Sequence, residues 1–167
     1  EAEALLPQFK ERAEAMRAPM IQPAVGHVLR MHPNANLAGL WLCATDQQDA
    51  HYRKGDTAPV AKLLVQLLGR HLGKEKLANS PQIKKISKPP NDYDAMLKWY
   101  SDILSPTMKA DYDRLYVVCT GGTPACNTAL ILAGVQCFRE DCTALYVQER
   151  SGTVTPLRVG KEVLRGQ

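Results

Sequence analysis

The sequence predicts an α/β fold: a mostly parallel sheet flanked by helices and finished by a C-terminal antiparallel hairpin. Three observations carry that expectation. Near-continuous apolar runs at 38–44 (around Trp41 and Leu42) and 114–119 (around Tyr116 and Val117) have the pattern of strands covered on both faces, as parallel strands are. Between and around them, apolar residues recur at helical spacing: Val60, Leu63, Leu64, Leu67 and Leu68 in one stretch, Tyr93, Met96, Leu97 and Tyr100 in another. Two further strand patterns, 142–148 and 153–159, flank Arg150, Ser151 and Gly152, a hairpin turn. Strands that alternate with helices build a layered α/β domain.

Taken in order, residues 1–17 have an amphipathic helical pattern, with Leu5, Phe9, Ala13 and Met16 near one face and Pro7 suited to a first turn. Pro19, Pro23 and the His32, Pro33, Asn34 cluster break residues 18–36 into a connector. Residues 1–36 therefore read as a helical arm and connector, and 37–167 as the domain proper. The first strand ends in polar residues from Thr45 to Asp49. Asp56 and Thr57 then cap a helix that carries Pro59 in its first turn and stops near Gly73. Residues 82–87 are a weaker, basic strand placed nearer an edge. Pro89, Pro90 and Asn91 punctuate the chain before a helix over 92–104, which Pro106 closes. The strand at 114–119 leads into glycines and a helix over 124–135.

The chain has 167 residues, 45% hydrophobic and 23% charged, enough for one core. No run approaches the roughly 20 apolar residues that span a bilayer. The chain begins with Glu1, not Met, so a leader or a further domain is expected upstream. The net charge of +4 favours an anionic ligand but falls short of a duplex-binding face, so duplex nucleic acid is not an expected partner. The five cysteines include no Cys-x-x-Cys pair and read as reduced, buried thiols. No metal or catalytic residue is assigned: Asp92 and Asp94 read as helix-start acids, and none of the four histidines has a partner that would make it a base. Lys84, Lys85 and Lys88 read as a solvated strand face, Trp41 and Trp99 as core anchors.

The break at Thr120, Gly121 and Gly122, with restart at Thr123 and Pro124, is the most informative feature. A strand ending in a glycine turn at a helix start leaves backbone N–H groups unpaired where the helix carries partial positive charge, which suits a phosphate. No Gly-Lys-Ser/Thr comes after it, so the triphosphate loop is excluded. No Gly-x-Gly-x-x-Gly comes after the first strand, and no Gly-x-Ser-x-Gly occurs. Thr120, Thr123 and Thr128 place hydroxyls near the turn, and Asn127 adds an amide. Thr45, Asp46 and Gln47 end the other apolar strand. In an open α/β sheet, ligands collect beyond the carboxyl ends of strands, so the two clusters are expected to face one site. Tyr52, Arg53 and Lys54 form a further candidate loop, the cations for phosphates and the ring for a base. A tight connection at the glycines and a solvated loop at 51–57 are the plainer readings of the same residues.

The run Thr120, Gly121, Gly122, Thr123, Pro124, with Ala125, Cys126 and Asn127 after it, resembles the Gly-Thr-Pro signature of CARF domains, the CRISPR-associated Rossmann-fold sensors of type III CRISPR antiviral systems. The resemblance spans roughly 37–159; its specific part is about a dozen residues. It implies a Rossmann-like fold and a homodimer, or a higher assembly built on it, whose shared pocket binds a cyclic oligoadenylate. Cyclic tetra-adenylate is the first expectation and cyclic hexa-adenylate the second. Gly121, Gly122, Thr123 and Pro124 match the signature and would hold phosphates through backbone amides; Thr45, Asp46 and Gln47 match by position. Ala125 and Cys126 depart from the Gln-Met that relatives often carry, which puts side-chain contacts there in doubt. No cofactor is implied. The expected role is a cytoplasmic sensor attached to an effector upstream, the membrane-anchored kind favoured over a TIR domain by the short amphipathic arm. Two alternatives remain: a ring nuclease that cleaves the same messenger, with Thr45, Lys54 and Thr123 in support, and an unrelated α/β nucleotide-binding protein.

Overall fold

The structure, a computed structural model, describes residues 18, 20–35, 37–47, 49, 51 and 53–158. The expected arm over 1–17, Tyr52, and Val159 at the end of the hairpin lie outside the described residues. The chain divides into two compact units, one of residues 1–18 and 29–87, the other of residues 19–28 and 88–167.

The expected connector around Pro23 is instead helix α1 (Ile21–Met31). Pro23 is its third residue, where the N–H would have no acceptor within the helix, so the ring is tolerated. Residues 21–28 of α1 belong to the second unit.

In the first unit, β1 (Trp41–Thr45) pairs in parallel with β2 (Gln82–Ile86), from Trp41 opposite Gln82 to Thr45 opposite Ile86. Helix α2 (Ala58–Lys76) packs against both strands and buries Ala58, Ala61, Leu67 and Leu68. It runs past Gly73, the expected stop. A glycine inside a helix costs only about 1 kcal/mol relative to alanine, too little to end a helix that Lys74, Glu75 and Lys76 continue. The helix ends when Leu77 turns extended and bridges Leu37 in parallel. The expectation that β1 is covered on both faces fails. Leu42 and Ala44 are buried, but Cys43 is exposed and Trp41 half-buried. The open face is tended by Lys84, the cross-strand partner of Cys43, whose Nζ lies 4.3 Å from the Trp41 ring centroid.

In the second unit, β3 (Leu115–Val118) pairs in parallel with β4 (Cys142–Val147), and β4 pairs antiparallel with β5 (Val154–Leu157) through the expected hairpin. Its turn closes with Gln148 N donating to Thr153 O at 2.9 Å, Gly152 taking a φ of 68°. The α/β architecture with parallel pairs and a terminal hairpin is thus as expected. Helix α3 (Tyr93–Ile103) begins at Asp92, whose carboxylate accepts from Ala95 N at 3.0 Å. That carboxylate is a cap. Pro106 does more than close α3: it opens helix α4 (Pro106–Asp111), because proline suits the first helical position. Helix α5 (Pro124–Phe138) packs on β3 and β4 and buries Ala125, Cys126, Ala129, Ala133, Gly134 and Phe138. Lys109 of α4 ties to the far end of α5, reaching Phe138 O at 3.1 Å and the Asp141 carboxylate at 2.5 Å.

Candidate functional site

The junction of β3 and α5 is built by conformation before side chains. Cys119 N still donates to Leu145 O at 3.0 Å, extending the ladder one residue beyond β3. The backbone then takes φ values of 80° at Gly121 and 73° at Gly122. A pair of left-handed residues is open to glycine at little cost and to other residues only with strain. Thr123 is the N-cap of α5 in extended conformation, and Pro124 occupies the first helical position.

Two of the hydroxyls at this junction, those of Thr120 and Thr123, have partners within the protein. Thr123 Oγ1 accepts from Cys126 N at 3.2 Å and donates to the carbonyl of Pro90. Thr120 Oγ1 accepts from Val147 N at 2.7 Å, tying the turn to β4. The expected role of Thr123 as a hydroxyl donor to a ligand therefore gives way to capping and tethering. Pro124 needs a second correction: as an imino acid it has no N–H to offer a phosphate, and it contributes only the preset φ of a helix start. The amides of Gly121, Gly122, Thr123 and Ala125 have no protein acceptor among the described residues. Asn127 is half-buried beside them; a Cβ at Gly122 would lie 3.8 Å from its Oδ1.

Two neighbours of the turn carry no sequence signal. The Met20 methyl would lie 3.4 Å from a Cβ on Gly121, so the residue just ahead of α1 packs on the turn. Pro90 reads as punctuation, yet its carbonyl accepts from Thr123 Oγ1 and also from Cys126 Sγ, the latter at 3.4 Å. Neither of these hydrogen bonds has a local signature, since each spans 33 residues or more.

In the first unit, Thr45 and Thr57 form a reciprocal latch. Thr45 N donates to Thr57 Oγ1 and Thr57 N to Thr45 Oγ1, each at 3.0 Å. Gln47 N donates to the Asp56 carboxylate at 2.8 Å, so Asp56 holds the loop and does not cap α2 as expected. Asp46 pairs with Lys85 at 2.6 Å. Arg53 and Lys54 lie in a short 3-10 turn, Arg53–Gly55, with Lys54 exposed. Of the predicted residues, the structure therefore brings together Thr120, Gly121, Gly122, Thr123, Pro124 and Asn127 at one turn. It brings Thr45, Asp46 and Gln47 together at the end of β1.

None of the five cysteines is in a disulfide, and Cys43 is exposed, against the expectation that they are buried. Burial pushes the Cys119 and Cys137 thiols up, and pushes Cys142 up to about 12, with Cys137 nearby adding to the rise. Such thiols are poor nucleophiles. Among the described residues no group of three or more His, Cys, Asp or Glu could hold a metal ion, and no helix is long and apolar enough to cross a membrane. No protein-family model matches the chain, and no curated protein matches it.

Proposed function

We propose that this chain is a sensor that binds a cyclic oligoadenylate, cyclic tetra-adenylate first, as a homodimer whose two glycine turns grip one ring, and that binding activates an attached effector. The reading starts from the CARF-like run at 120–124. The observation that carries it is the turn itself: two consecutive left-handed glycines, leading into a capped helix, leave the amides of Gly121, Gly122, Thr123 and Ala125 without protein acceptors among the described residues. Backbone donors at a helix start suit phosphate oxygens and ask nothing of side-chain identity. The Thr45, Asp46 and Gln47 segment enters by its place after a parallel strand, since its polar groups already hold its own loop. The nuclease reading loses support because the hydroxyl of Thr123 is committed to Pro90.

Calorimetry with cyclic tetra- and hexa-adenylate tests the reading. Binding of one ring per dimer at micromolar or tighter affinity is expected; heat from neither ring overturns it. Gly122→Val should weaken binding by tenfold or more, because a β-branched residue disfavours the left-handed turn. Equal affinity in a folded G122V protein would take the turn out of the site. Intact ligand after prolonged incubation separates a sensor from a nuclease.

A further inference from the structure

Helix α5 covers one face of the β3–β4–β5 sheet only in part. Val117 lies opposite Ala144, Ala144 opposite Leu157, and Tyr146 opposite Thr155, so Val117, Cys142, Ala144, Tyr146 and Leu157 share that face. Where α5 packs, Cys142 and Ala144 are 1% and 0% exposed; farther out, Tyr146 and Leu157 are 49% and 42% exposed. Tyr146 and Leu157 are diagonal neighbours across the β4–β5 ladder. Such pairs sit about 7–8 Å apart, close enough for one segment to cover both. The sheet therefore carries an open apolar patch at its β5 edge, and an edge of that kind invites association unless something covers it.

We propose that the occupant is the chain's own segment 159–167, which turns back at Gly160 and lays Val163 and Leu164 over Leu157 and Tyr146. The segment starts at the patch: Arg158, the last described residue, follows Leu157 directly, and 159–167 belongs to the same compact unit. Gly160 permits the reversal because glycine takes turn conformations at little cost. It lies at most about 10 Å beyond Leu157, and residues 161–164 reach about 13–14 Å back. Val163 then comes level with Leu157, and Leu164 passes it toward Tyr146. Charge agrees with this path. Continued for three residues, the register that sets Leu157 opposite Ala144 brings Gly160 level with Asp141, so Lys161 follows beside the exposed Glu140. A second copy that adds a strand to the β5 edge is the competing occupant. Pro156, in the middle of β5, opposes it, since proline has no N–H to give a further strand. The cover needs no ligand and is independent of the sensor reading.

The test is photo-crosslinking of the whole chain with p-benzoylphenylalanine in place of Leu164, followed by trypsin digestion and mass spectrometry. The expected product joins position 164 to the peptide 140–150, which holds Tyr146, within one chain. A crosslink between chains would give the patch to a second copy and overturn the proposal. Products joined only to other peptides, or no product, overturn it too. Nitration by tetranitromethane reads the same cover at Tyr146 itself. Leu164→Asp should raise the nitration rate of Tyr146 severalfold and leave Tyr100, 3% exposed, unchanged. Equal rates at Tyr146 in wild type and L164D overturn the proposal. A rise at both tyrosines reports unfolding of the variant, and the crosslink then decides.

Discussion

Gly134 of α5 decides how closely that helix can lie on β3 and β4, and the cost of replacing it can be worked out. A Cβ at this position would meet Cys142 Sγ at 2.9 Å, Leu115 Cδ2 at 3.3 Å and Val117 Cγ1 at 3.5 Å. The first contact is closer than real Cβ atoms accept. Its partner is a short side chain, 1% exposed, on a strand whose backbone is paired. Gly134→Ala gains about 1 kcal/mol of helix propensity. Overpacking a filled core costs about 1–3 kcal/mol. The balance favours destabilisation by roughly 1 kcal/mol, read as a lower urea midpoint at unchanged slope. The decisive measurement is the double-mutant cycle with Cys142→Ala. Removing Sγ opens the space that the new methyl needs, so G134A should cost less, or even stabilise, in the C142A background. A coupling of about 0.5–3 kcal/mol is expected for residues in such contact. Strict additivity, or a G134A protein more stable than wild type, would refute the claim that close approach dictates glycine here.

Two further perturbations probe the same unit. Thr123→Val keeps shape but leaves Cys126 N and the Pro90 carbonyl without their hydroxyl partner, so thermal denaturation should show a loss of about 1–2 kcal/mol that Thr123→Ser restores; a Val variant as stable as wild type would remove the tether. Because burial raises the Cys142 thiol from 9.0 to about 12, the folded state holds its proton where the unfolded chain gives it up. The resulting stability is full below pH 9 and drains as pH rises toward 12, at a limiting slope of about 1.4 kcal/mol per pH unit for one proton. Urea midpoints across that window should fall more steeply for wild type than for C142A, since Cys119 and Cys137 contribute equally to both; parallel profiles would contradict the burial.

The elements legible in the sequence are those whose signals are local. Asp92 ahead of an apolar stripe announces α3, and the apolar residues around Val117 announce β3, because periodicity and capping act over a few residues. The misses share a different cause. Helix α1 is hidden by Pro23, whose meaning depends on whether it falls in a first turn or an interior; α4 is hidden because Pro106 ends one helix and starts the next. The apolar run at 38–44 suggests a strand buried on both faces. Yet hydrophobicity is permitted on an open face, and there Lys84 spreads over Trp41 in place of a second packed layer.

The candidate site divides along the same line, and that division bears on how far the functional reading reaches. Thr120 and Thr123 stand out in the sequence for their hydroxyls, but a hydroxyl is available to a ligand only after its intramolecular partners are counted. Those partners, Val147 N and Pro90 O, lie 27 and 33 residues away. Asp46 and Gln47 meet the same fate through Lys85 and Asp56. The glycines are a different case: what they supply is a left-handed backbone, fixed by the two residues themselves, and their N–H groups keep no acceptor among the described residues. A grip made of main-chain donors is thus the part of such a site that a sequence can announce, while its selectivity must come from side chains that the fold brings in from elsewhere.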